Sequence, residues 1–161
     1  MDYNYVQGKI DGDMTQEKFG NTFPMWVDLN KEIKDGYAGA DFWFPKEVRE
    51  NIEFGPKLEL KLRRGKGSKV DPYCRQLHES SILAVEFDED GEYHFWYMKD
   101  FLIQSDIHSC KKAAAKGRRQ MTRKKFLTGE LNISLDEIVN TLDPSQFVRD
   151  PRPATLLHAF S

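Results

Sequence analysis

Apolar and charged residues alternate strictly through Leu58-Glu59-Leu60-Lys61-Leu62, the period of a half-buried strand running over Leu58–Arg64. Ile82–Phe87 (ILAVEF) is the most strand-like run in the chain. Asp88-Glu89-Asp90-Gly91 reads as a hairpin turn that returns through Tyr93–Tyr97 (YHFWY). Tyr37–Phe44 is aromatic-rich and reads as a further strand, with Gly39 permitting a bend. Helical spacing is weaker. Met25, Leu29 and Ile33 fall at four-residue steps within Met25–Lys34, and Met14–Phe19 is headed by Asp13 as a cap. Asp71-Pro72 introduces a short helix over Tyr73–Ser80. Ser134 with Glu137 forms a capping box ahead of Ile138, Val139 and Leu142. Residues 1–13 show no clear period and read as a loose arm or a short strand. Residues 111–126 lack an apolar stripe and read as surface chain. These elements predict an α/β (α+β) fold: a small mixed β-sheet with flanking helices in one domain over residues 1–144, then an irregular tail over 145–161. The strand order fits a plain antiparallel meander as well.

Composition narrows the class without naming a function. The chain has 161 residues, 39% hydrophobic and 31% charged, a globular balance long enough for a sizeable core. Net charge is −2, so a nucleic-acid surface requires the basic residues to be segregated, and they are. Lys57–Lys69 holds six basic residues against one acid, and Lys111–Lys125 holds eight against none. The two cysteines, Cys74 and Cys110, form no disulfide framework, and no apolar run approaches the length of a membrane span or a leader. The expectation is a reduced, cytoplasmic-type protein that does not enter a membrane. The Walker spacing is absent around Gly65-Lys66-Gly67-Ser68-Lys69, and no organic cofactor is expected.

The chemistry-bearing residues gather around the alternating strand. Glu59 and Lys61 are two apart and emerge on one face. If Asp41, eighteen residues before Glu59, sits on the neighbouring strand, its carboxylate reaches the same spot. Two carboxylates beside an ammonium can hold a Mg²⁺ (or Mn²⁺) that keeps several waters, which suits hydrolysis of a phosphodiester. The plainer reading of the same residues is an exposed hairpin with Glu59 and Lys61 on its wet face.

An Asp followed in the next strand by Glu-x-Lys resembles the PD-(D/E)xK nuclease superfamily, restriction endonucleases and Holliday-junction resolvases among them, over about residues 36–104. Ala40 stands where the family pattern has its Pro. The resemblance implies a restriction-endonuclease-like core and a metal-dependent DNA endonuclease. Asp41, Glu59 and Lys61 would be catalytic, and Asp41, Glu59 and the Leu60 carbonyl the Mg²⁺ ligands. It also implies an extra acid from a preceding helix, for which Glu17 and Glu32 are candidates, and Gln76 as an accessory residue. Cutting both strands commonly uses two sites, hence a homodimer as an expected partner state. Lys66, Lys69, Arg118, Arg119, Arg123 and Lys124 are the expected contacts to the DNA backbone, which position a substrate without reading its sequence. Two other classes remain open. One is a non-catalytic nucleic-acid-binding protein using a basic sheet whose aromatics (Phe42, Trp43, Phe44, Phe95, Trp96, Tyr97) stack on bases; the other is an adaptor whose basic segment docks an acidic partner.

Overall fold

A computed structural model describes residues 5–32, 40–45, 55–65, 69–72, 79–87, 92–108 and 117–147. The described elements are α1 (Tyr5–Thr22), β1 (Val27–Asp28), α2 (Leu29–Glu32), β2 (Phe42–Trp43), β3 (Lys57–Arg63), β4 (Ile82–Phe87) and β5 (Tyr93–Tyr97). They continue with α3 (Met98–Gln104), β6 (Asp106–His108), β7 (Arg118–Gln120), α4 (Arg123–Gly129), α5 (Leu135–Thr141) and a 3₁₀ turn at Pro144–Gln146. The fold is mixed α+β. Strands β1 to β5 form a five-stranded sheet in chain order, and β6 pairs with β7 in a separate two-stranded ribbon.

Strand direction separates this sheet from a meander. β1, β2 and β3 pair antiparallel, β3 pairs parallel with β4, and β4 pairs antiparallel with β5. The parallel step needs the long connection over residues 64–81, because a tight turn cannot reverse the chain twice. The helix expected at Tyr73–Ser80 and the turn at Asp88–Gly91 lie largely outside the described residues.

Alternation along the strands sends side chains to two covered faces. On one face Phe42, Leu58, Leu60, Ile82, Ala84 and Phe95 pack with Phe19 of α1 and with Leu135, Ile138 and Val139 of α5. On the other, Leu83, Val85, Phe87 and Trp96 pack with Met98 and Phe101 of α3, Met121, and Phe126 of α4. The sheet is thus a middle layer.

Three local readings change. Residues 5–13 are not a loose arm but the first half of α1. The inner face of that helix carries Asp11, Thr15 and Phe19, the first two buried against partners: Asp11 to Arg64 at 3.2 Å and Thr15 to Glu86. With two of these three inner positions polar, no apolar period is left to read. The proposed helix at Met25–Lys34 becomes β1 followed by the single turn of α2, with Asp28 accepting from the backbone of Asn30 at 3.0 Å and Lys31 at 3.2 Å. From residue 117 on the basic segment is no loose surface chain: Met121 and Phe126 are buried in the core, and β7 and α4 form around them, while residues 111–116 lie outside the described residues. The Ser134–Glu137 capping box is present in full.

α4 ends against an indole. A Cβ added at Gly129 would stand 2.5 Å from Trp96 Cζ2, and Trp96 is held by its Nε1–H donating to the Phe126 carbonyl at 2.9 Å. Gly129→Ala is therefore expected to cost about 1–3 kcal/mol, as overpacking against a fixed ring does. Urea titration of the variant, with Gly12→Ala (no neighbour within 4 Å) for comparison, checks it.

Candidate active site

Asp41 precedes β2, and its backbone N–H donates to the Leu58 carbonyl at 3.0 Å, so the chain enters the sheet one residue early. The β2–β3 register runs Phe42 to Leu58 and Trp43 to Lys57. Continued one position, it sets Asp41 opposite Glu59, on the same face. Asp41 is held at two points: its carboxylate Oδ2 accepts from the Leu60 N–H at 2.8 Å, and its backbone carbonyl accepts from the Leu29 N–H at 2.9 Å. A strand residue points its N–H and C=O to the same edge, so the Leu60 carbonyl also faces the Asp41 side.

Lys61 Nζ stands 3.2 Å from Glu59 Oε1. Glu59 is only 2% exposed, while Asp41 and Lys61 are partly exposed, so the cluster opens to solvent on their side. The wet-face reading of Glu59 does not hold.

Burial and the neighbouring Asp41 push the Glu59 carboxyl up to about 8, against the pull of Lys61. Burial also raises Asp41, offset in part by the Leu60 hydrogen bond and by Lys61. Both carboxyls are raised by burial, and the two titrate as a coupled pair. Two buried carboxyls that repel one another when ionised are what a divalent cation stabilises. Hard oxygen donors from Asp41 and Glu59, with the Leu60 carbonyl on the same edge, suit Mg²⁺ or Mn²⁺.

A further acid near the pair was not readable from any motif. Asp28 is close enough to raise the Asp41 carboxyl, and Gln16 of α1 donates to its Oδ1 at 2.9 Å. The preceding helix thus reaches the surroundings of the site through Gln16. Glu17 and Glu32, the residues expected in that role, are exposed. Nothing in their spacing distinguishes Gln16 and Asp28, since the contact depends on how α1 crosses β1.

The expected backbone-contact residues divide by partner. Arg118 bonds Asp71 Oδ2 at 2.9 Å, and Arg63 bonds Oδ1 of the same carboxylate at 2.8 Å. Arg119 ties off the end of α3, donating to the Ser105 carbonyl at 2.8 Å, to Ser105 Oγ at 3.0 Å and to the Leu102 carbonyl. Arg123 lies over the Phe87 ring, 4.4 Å from its centroid, and reaches the Gly65 carbonyl at 3.4 Å. Lys69 and Lys124 are exposed. Lys66 and Gln76 lie outside the described residues. Of the aromatics considered for base stacking, Phe42, Trp43, Phe95 and Trp96 are buried.

His94 and Glu130, a second titratable pair, meet on the far side of β4, with Nδ1 against the carboxylate. The pair joins β5 to the segment after α4, and thirty-six residues separate its members. Among the described residues no helix is long and apolar enough to cross a membrane. Scans of the chain against protein-family models, curated proteins and solved structures return no match.

Proposed function

We propose that this chain is a divalent-metal-dependent nuclease that hydrolyses DNA phosphodiester bonds on a core resembling the PD-(D/E)xK superfamily. The observation that carries the reading is the meeting of Asp41, Glu59 and Lys61 on one sheet face, with Glu59 buried and its carboxyl pushed up to about 8. A buried, mutually repelling pair beside an ammonium is costly to keep for stability alone. The order of elements supports the same core: a helix, antiparallel strands carrying the Asp and the Glu-x-Lys, a long connection, then a parallel strand.

In this reading Asp41, Glu59 and the Leu60 carbonyl hold Mg²⁺ or Mn²⁺. The bound cation supplies an activated water and neutralises charge at the phosphate. Lys61, 3.2 Å from Glu59 and partly open to solvent, orients the attacking water or stabilises the charge that develops. The alternative of a non-catalytic single-strand binder loses its stacking platform, because most of its aromatics are in the core.

The test is cleavage of labelled linear, single-stranded and branched DNA with Mg²⁺ or Mn²⁺, comparing wild type with Glu59→Ala and Lys61→Ala. Metal-dependent cutting lost in both variants, with DNA binding retained, supports the site. Equal background in all three proteins removes the catalytic reading. Sedimentation of the active species tests the dimer that two-strand cutting implies.

A further inference from the structure

We propose that a nucleic-acid strand leaves the acid pair along the C-terminal half of β3 and seats flanking phosphates at the head of α4, held by Lys69 and Lys124 beside the groove between α3 and α4. This rests on the nuclease reading and adds the path of the substrate.

Three observations carry it. Glu59, Lys61 and Arg63 share one face of β3 at steps of about 6.5 Å, so that face leads from the pair in one direction along the strand, toward Gly65. The chain then turns at Gly65, whose φ of 88° a side chain would resist. It comes back pinned at both ends: Arg123 donates to the Gly65 carbonyl at 3.4 Å, and Arg63 Nε to the Lys69 carbonyl at 3.2 Å. Val70 then bridges Met121 through two hydrogen bonds of 2.9 Å, which carries exposed Lys69 alongside Thr122 at the head of α4. Beyond Thr122 opens a groove of about 390 Å³ lined by Gln104, Thr122, Lys124, Lys125, Thr128 and the Trp96–Gly129 contact. Its lining includes two lysines and no acid.

The positive charge of this edge is not all available to a ligand. Arg63 and Arg118 share Asp71, and Arg119 serves the end of α3, so these three build the wall. Lys125 donates to the Gln104 carbonyl at 2.5 Å and shapes the groove floor. Exposed Lys124 lines the groove, and the Val70–Met121 bridge sets exposed Lys69 opposite Thr122 of the same lining. A single strand or one strand of a duplex, with regularly spaced phosphates and no need for base contacts, matches such an edge. Lys69 and Lys124 are positioning residues: they set where the backbone lies, not the chemistry.

The experiment uses the full chain and labelled DNA, single-stranded and duplex, with affinity measured against salt in EDTA, where no metal-dependent cutting occurs. The slope of log K on log salt for Lys69→Gln/Lys124→Gln is expected to be shallower than wild type by about two, one for each phosphate that no longer meets an ammonium. Lys99→Gln, an exposed lysine on α3, is expected to keep the wild-type slope. In the cleavage assay the double variant raises KM and leaves kcat near wild type. An unchanged slope and KM in the double variant overturns the groove even if the protein cuts DNA. A shallower slope in a protein that cuts nothing leaves the groove standing and removes only the hydrolytic reading. Displacement of DNA by polyglutamate as effectively as by unlabelled DNA also overturns the proposal, since the groove would then serve any acidic chain.

Discussion

Glu59→Gln is expected to lower metal-dependent cleavage by about a hundredfold or more and, in the metal-free protein, to raise stability above pH 8. Both results come from one buried carboxyl. The first follows, on the function proposed above, from removing a carboxylate that would hold the cation and a preorganised charge beside it, a loss of the size seen when a single stabilising group is deleted from an active site. The second follows from linkage. Burial and Asp41 hold the Glu59 carboxyl near 8, against 4.5 for the unperturbed group, so between those values the native state keeps a proton that the unfolded chain has released. Stability from this group is fully present below about pH 4.5 and is lost as pH rises through about 8. Glutamine is neutral at every pH and escapes the loss. The variant-minus-wild-type difference is expected near zero at pH 4 and on the order of 2–4 kcal/mol at pH 9, read by urea titration across pH. Comparing differences cancels the other titrating groups. A difference that stays flat with pH would show that Glu59 ionises normally, and with it the ground for a cation at the pair would go.

Phe19→Ala is expected to cost about 3–5 kcal/mol, the range for emptying a fully buried aromatic site. Phe19 has no exposed surface, and its ring centroid lies 4.7 Å from that of Phe23, 4.6 Å from Phe42 and 5.2 Å from Tyr93. Among the described side chains of α1 it is the main apolar anchor. The other described ties of that helix are polar, and Lys18–Glu86 at 2.7 Å involves a lysine side chain that is 47% exposed, which solvent screens. Phe42, one residue beyond Asp41, packs on Phe19, so cleavage is expected to fall with the same substitution as the strand end loosens. Phe19→Leu, which keeps most of the volume, is expected to cost less than half as much. A cost below about 1 kcal/mol for the alanine variant would mean that the buried Asp11 and Thr15 contacts, not the phenyl ring, dock the helix.

Strands β2 to β5 of the central sheet were legible because each obeys a local rule, whereas β1 was not. Leu58–Leu62 alternates, Ile82–Phe87 is a continuous apolar run between covered faces, and Ser134 with Glu137 closes a cap through atoms three residues apart. The pairing of Asp41 with Glu59 was legible for a similar reason: alternation sets the face, and adjacent strands supply the rest. Elsewhere the determining contacts are distant in sequence. Two of the described inner positions of α1, Asp11 and Thr15, are polar, and their partners, Arg64 just after β3 and Glu86 of β4, are distant in sequence, so no helical stripe announces it. In the basic segment Met121 and Phe126 are two apolar residues among many charges, and only the bridge to Val70 and the Trp96 indole makes them core.

By itself the sequence determined which residues can carry chemistry and on which side of their strand they stand, because side-chain period is a property of the local backbone. The tertiary structure decided the rest. It made β4 parallel to β3, which turned a possible meander into a layered sheet, and it buried Glu59, which turned a surface charge into a carboxyl that titrates near 8. It also assigned Arg118 and Arg119 to internal carboxylate and carbonyl oxygens while leaving Lys69 and Lys124 exposed. Burial and charge pairing depend on what other parts of the chain bring to the same place, and no window of neighbouring residues contains that information.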